Sequence, residues 1–415
     1  MIYQKMQLDT MKKVLRFTAY SLLILLILSA ALAGFYFSDP EGAQDKIYQA
    51  FYPKVQNMDK YRGQFTAEIP QVYELMWIAC SLTEAFRNDD NVLNQEGTHR
   101  DYLTAVKKHF EPYADHALIK KLDAYLTPEQ YDLNHIAIRF LSLNYIIDDR
   151  GRLQRTGDYQ VPRILTWSFR NRAFLIPENI RLINHFIQDT DFLDFYAQHR
   201  PMYEQLEENY PQMVDFKGMF TWLEERYPNR VESYRVICSP LTGGFHNAMW
   251  FDGTEEDFQQ NLMYVSAPLP QVPAWDSTGA ILRGRYGRIV FTEIDHHYVN
   301  PFTDRYQTEL QLAMPDWRDW NKGRWGYESA TSTFNEYMTF GMYVLYVWDT
   351  FPKEYRAMVI DDVQRMMVAQ RAFHRFDAFS DALLAEYQQL ENPRDMATLY
   401  EAMFTWMEHT SLALH

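Results

Sequence analysis

The chain has 415 residues, 47% of them hydrophobic and 23% charged, which excludes a disordered, collagen-like or low-complexity polymer. Its formal charge of −15, from 55 acids against 40 bases, argues against nucleic acid as the main partner, because phosphate recognition needs a basic surface. With only 16 glycines but 19 methionines and 16% aromatic residues, the composition favours packed helices over a glycine-rich barrel.

The first 38 residues read as a targeting segment. Residues 17–38 are an uncharged run of 22, preceded by Lys12, Lys13 and Arg16. A basic start followed by an apolar stretch is the pattern of a secretory signal, and Ala31-Leu32-Ala33 fits cleavage ahead of Gly34. The run also reaches the roughly 20 residues that a spanning helix needs, so an uncleaved membrane anchor is the alternative. Either places the rest of the chain outside the cytoplasmic membrane, in the periplasm or on the membrane's outer face. Without residues 1–33 that exported body carries 36 bases and 54 acids, a net −18. It also holds Cys80 and Cys238, for which the oxidising compartment permits a disulfide and burial as free thiols is the simpler reading.

Residues 39–63 are expected to form a polar spacer with one short helix, and 64–228 a helical N-terminal half. Apolar spacing predicts helices near 70–86, 100–112, 127–147, 177–188 and 191–208. Thr127-Pro128 supplies a helix start, and the prolines at 201, 211 and 228 are read as punctuation. Near 232 the period changes: 233–238 and 261–266 read as strands, flanking the turn Leu241-Thr242-Gly243-Gly244. The expected architecture is therefore mainly α with a small β-sheet, an α+β body. The sheet near 232–266 would be inserted between helical blocks, and the C-terminal half would span 229–415.

The chemistry concentrates in two predicted helices, 286–300 and 329–348. In the first, which Pro301 is expected to close, Glu293, His296 and Asn300 share a face and Thr292 precedes His296 by four. Zinc peptidases use two histidines four apart with a Glu beside the first, so that both imidazoles meet one metal and the Glu reaches its bound water. Here the frame is Thr292-Glu293-Ile294-Asp295-His296, with Thr at the first ligand position. Asp295 is expected to face solvent or to support the site from behind. In the second helix Glu336 is the one charged residue in 20 positions, which requires a pairing partner or a metal. The polar residues crowding its first half favour a buried core helix over a membrane span.

The stretch Glu293-Ile294-Asp295-His296-His297-Tyr298-Val299-Asn300-Pro301 resembles the active-site helix of an uncharacterised, exported bacterial family. Its members carry H-E-x-x-H, one residue, an aromatic and V-N-P. Ser239-Pro240-Leu241-Thr242-Gly243-Gly244, Asn335-Glu336, the QVYELMWIACSL segment and 102–116 are similar to further segments of that family. The resemblance covers about 65–405. It implies a zincin-like metallopeptidase fold whose third zinc ligand is a Glu. By position it makes Glu293 the general base and His296 and Glu336 metal ligands, with Gly243, Gly244, Asn300 and Asn335 lining the cleft.

Thr292 departs from the family, since a neutral hydroxyl is a poor zinc ligand and catalytic zinc holds three protein ligands plus water. His297 and His246 are the candidate replacements. Two readings follow. One is a degenerate metallopeptidase, a pseudopeptidase that has lost zinc and serves as a binding or envelope-assembly module. The other is an active zinc-dependent peptidase with a replacement ligand. The expected partner is a peptide or protein, with membrane contact through the N-terminal segment if it is uncleaved.

Overall fold

The computed structural model describes residues 53–412 except 88, 90–91, 94–98, 127–130, 161–175, 245, 256–257 and 323–326. Two units divide the chain: 1–53 with 161–168, and 54–160 with 169–415. Apart from Pro53, the first lies outside the described residues, as do the leader, most of the spacer and the Thr127-Pro128 helix start.

The second unit begins with β1 (Lys54–Val55), α1 (Met58–Tyr61) and β2 (Phe65–Glu68). Helices α2 (Gln71–Ser81), α3 (Arg100–Phe110), α4 (Ala117–Asp123) and α5 (Tyr131–Ser142) follow. Three short strands come next, β3 (Tyr145–Ile147), β4 (Leu153–Arg155) and β5 (Tyr159–Gln160). Then come α6 (Ile176–Asp189), α7 (Phe192–Met213) and α8 (Phe216–Glu224). This half is mainly helical, as expected, but the helix expected over 127–147 ends at Ser142 and residues 145–147 are strand β3, the first of three short strands that the sequence did not indicate. Helix α7 contains Pro201, within the expected 191–208 span, and continues beyond it through Pro211 to Met213.

The main sheet is built from β6 (Ser233–Ser239), β7 (Asn247–Asp252) and β8 (Gln259–Ser266) together with β2, in the order β2-β6-β8-β7. Strands β2, β6 and β8 are parallel, with Ala67 opposite Val236 and Val236 opposite Met263. Strand β7 pairs antiparallel with β8, with Met249 opposite Leu262. Every residue of β6 is buried, as expected of an inner parallel strand covered on both faces. The sheet is thus not confined to 232–266: its β2 strand comes from the N-terminal half. A four-residue strand carries too few alternations to be read from pattern, and half-buried β7 was missed for the same reason.

The C-terminal half is a helical array: α9 (Ser277–Thr303), α10 (Gln307–Ala313), α11 (Ala330–Thr350), α12 (Lys353–Ala369), α13 (Phe376–Gln389) and α14 (Met396–Leu412). Helix α9 packs against α11, α12 and β8. It approaches α12 closely because Gly284 has no side chain; a Cβ there would lie 2.6 Å from Val359 Cγ1. Pro301 does not end α9, which continues to Thr303. Proline removes the N–H that would serve the carbonyl four residues back; Asn229 Nδ2 donates to that His297 carbonyl instead, at 2.8 Å. Helix α11 is buried from Thr333 to Val347, and among the described residues no helix is long and apolar enough to cross a membrane.

Candidate functional site

Capping fixes where both motif helices begin. Asp276 accepts from the Gly279 N–H at 2.8 Å to start α9. Ser329 and Ser332 form a reciprocal capping box at the start of α11. With α9 packed on α11, the turn carrying Glu293 and His296 lies beside the turn carrying Glu336. His296 Nε2 is 3.8 Å from Glu336 Oε2. Its Nδ1 lies 3.2 Å from Asn300 Oδ1 and 3.4 Å from Thr339 Oγ1. Two residues 40 positions apart, singled out from the sequence, are therefore neighbours.

Glu293 is half-buried, one turn before His296. Burial raises its carboxyl above the usual range, His296 opposes this, and the Glu336 charge adds to it. Asp295 departs from the solvent-facing expectation: it has no exposed surface. Burial, then the charges of Glu336 and Glu293, hold its carboxyl well above the usual range.

The partner of Glu336 is Arg371, which no motif indicated. Glu336 is 2% exposed and forms an ion pair through Oε1 with Arg371 Nη2. The same Nη2 donates to the Tyr327 hydroxyl at 2.9 Å. The guanidinium lies over the Phe340 ring, 4.9 Å from its centroid. Arg371 sits in the turn after α12, where the Arg371 and Phe373 N–H groups reach back to the Met366 and Met367 carbonyls at 3.1 Å each. Ala372 completes that turn with φ of +64°, a left-handed conformation that glycine usually supplies at a helix end.

The zinc implied by the sequence motif does not fit these donors. Thr292 Oγ1 donates to the Arg288 carbonyl one turn back, at 2.9 Å, and so is bound to its own helix. His297 does not replace it: its Nε2 faces Gln259 Oε1 at 3.2 Å and its ring lies 5.0 Å from that of Trp250, on the sheet side of α9. His246, just before β7, is held neutral; burial and then the Arg139 charge bring its pKa to about 4. Among the described residues no group of three or more His, Cys, Asp or Glu side chains could hold a metal ion. A position 100° round the helix points His297 elsewhere, and Glu336 already has a cation.

Of the expected cleft residues, Asn300 contacts His296, and buried Asn335 precedes Glu336. The Gly243 N–H donates to the Val92 carbonyl at 2.9 Å, and Gly244 accepts from the His246 N–H at 3.1 Å, so the glycine turn is fastened to the loop around 92–93. A surface cavity of about 530 Å³ lies elsewhere, among Glu68, Pro70, Tyr196, Arg200 and Glu207, and shares no residue with the motif helices.

A third buried acid, away from the motif helices, escaped the sequence reading. Glu74 on α2 is wholly buried; Tyr102 donates to its Oε1 at 2.6 Å and lies 2.6 Å from the Tyr203 hydroxyl. Burial pushes its pKa up to about 7. In QVYELMWIAC a single Glu among helix-spaced apolar residues was the available signal, the same one that marked Glu336. Cys80 and Cys238 are both buried free thiols. Compared with models of known protein families, with curated proteins and with solved structures, the chain matches none.

Proposed function

We propose that this chain is an exported zincin-like scaffold whose metal centre is degenerate, a pseudopeptidase that binds a peptide or protein ligand at the cell envelope. The observation that carries the reading is the state of the first ligand position. Thr292 spends its hydroxyl on the Arg288 carbonyl, and the described residues offer no three-donor set in its place. Two retained elements support a zincin-like ancestry: the juxtaposed His296 and Glu336, and Glu293 one turn from His296. Without three ligands, zinc affinity and the acidified water it would supply are both lost. Export rests on the basic and apolar leader, and the acidic body leaves nucleic acid out of the partner list.

The test is metal content and hydrolysis on the purified full chain. Below about 0.1 zinc per chain after zinc-supplemented refolding is the expected result, since structural or catalytic zinc sites fill near one equivalent. Peptide hydrolysis above background is not expected, and Glu293→Gln is expected to change nothing in that assay. One zinc per chain, with hydrolysis that Glu293→Gln reduces by several powers of ten, would establish the active peptidase instead.

A further inference from the structure

Glu336 poses a problem that Thr292 alone does not answer. If a metal site decays by losing one ligand, the remaining carboxylate is left ionised inside an apolar helix, which is strongly unfavourable without a counter-charge. In this chain the counter-charge is present. Arg371 engages Oε1, while Oε2 faces His296 and has no hydrogen-bond partner among the described residues. The guanidinium is held from three directions: by Glu336, by the Tyr327 hydroxyl at 2.9 Å, and by the Phe340 ring at 4.9 Å. The backbone that delivers it carries the left-handed Ala372.

We infer that Arg371 is the resident cation of this site: its guanidinium replaces a metal ion's charge at Glu336, so that Arg371 and Thr292 together keep divalent metals out. The inference rests on the proposed reading of His296 and Glu336 as former ligands. It goes further, because it makes the site a filled one rather than a damaged one. A divalent ion reaching Glu336 meets an Arg already on the carboxylate, and the like charge of the guanidinium opposes its approach. Restoring the missing imidazole is then not enough. The remaining pair is close to metal-binding spacing: two donors each about 2.0–2.1 Å from one tetrahedral ion lie about 3.4 Å apart, and His296 Nε2 and Glu336 Oε2 are 3.8 Å apart.

The experiment compares full-length wild type, Thr292→His, Arg371→Met, and the Thr292→His/Arg371→Met double variant. Zinc is counted after dialysis, zinc affinity is titrated, and the melting temperature is recorded with and without zinc. Methionine retains an apolar stem without the charge, although the guanidinium's contact with the Phe340 ring is lost. The double variant is expected to take up about one zinc and melt higher with it, and to bind zinc at least about tenfold more tightly than Thr292→His alone. Arg371→Met alone is expected to melt lower, and adding Glu336→Gln is expected to recover most of the loss, since the unpaired charge is then gone. Thr292→His binding zinc as tightly as the double variant would overturn the inference, as would a folded double variant that takes up none. If the double variant does not fold, the Glu336→Gln/Arg371→Met pair decides: no recovery of stability means that Arg371 does not serve Glu336's charge. Zinc in the wild type would overturn the pseudopeptidase reading and this inference with it, whereas a zinc-free wild type whose Thr292→His variant binds zinc as tightly as the double variant overturns this inference alone, which keeps the two failures apart.

Discussion

Glu74 has no exposed surface, and its pKa of about 7 lies above the ordinary 4.5. A carboxyl raised on folding contributes most below the unfolded pKa, and that contribution is lost as the pH climbs through the folded value. Stability is therefore expected to fall between about pH 4.5 and 7 by roughly 3 kcal/mol on account of this residue. Glu74→Gln is expected to flatten that fall, leaving the variant more stable than wild type at pH 8; urea unfolding at pH 5 and pH 8 checks it. An unchanged pH profile in the variant would assign the fall to other groups. The sequence allows an acid in an apolar helix to be noticed, because burial of a charge needs a reason. It does not allow the reason to be named: nothing in spacing selects Arg371 over Arg365 or Arg375 for Glu336, or Tyr102 for Glu74.

At the scale of elements, the helices were readable because each carries several turns of repeated apolar spacing. Their packing was not, because it depends on small residues placed against a neighbour unknown in advance. Gly284 is such a place: the Tyr343 hydroxyl donates to its carbonyl at 2.6 Å, and Val359 fills the space beside its Cα. Gly284→Ala is expected to cost about 1–3 kcal/mol by overpacking, despite alanine's better helix propensity. Chemical denaturation measures it; a stabilised variant would mean that α9 and α12 can part without loss. Proline taught the reverse lesson. Pro301 looked like a terminator, yet the helix passes it because Asn229, 68 residues away from His297, serves the vacated carbonyl.

For the whole molecule, the sheet decides how the chain holds together. Strand β2 forms one edge beside buried β6, and Glu68 on β2 pairs with Arg235 on β6 across 167 residues of sequence, with Arg235 Nε to Glu68 Oε1 at 2.7 Å. The half at 229–415 therefore lacks a strand of its own sheet. Expressed alone, it is expected to leave β6 as an unprotected apolar edge and to aggregate or melt without cooperativity. Circular dichroism and size-exclusion chromatography read the outcome. A soluble fragment with a sharp thermal transition would show that the half folds independently.

The sequence by itself determined the helical class, the presence of a small sheet, the two helices that hold the motif residues, and the absence of an imidazole at Thr292. These are local properties: periodicity, composition and residue identity need no neighbour to be read. The tertiary structure alone decided that Asp295 is buried, that His297 turns to the sheet, that β2 joins β6, and that Arg371 is the cation at Glu336. Each of these depends on which distant group fills a given space. Burial free energies and charge interactions act through space, so a chain of separations such as 35, 38 or 167 residues holds no pattern from which they could be read.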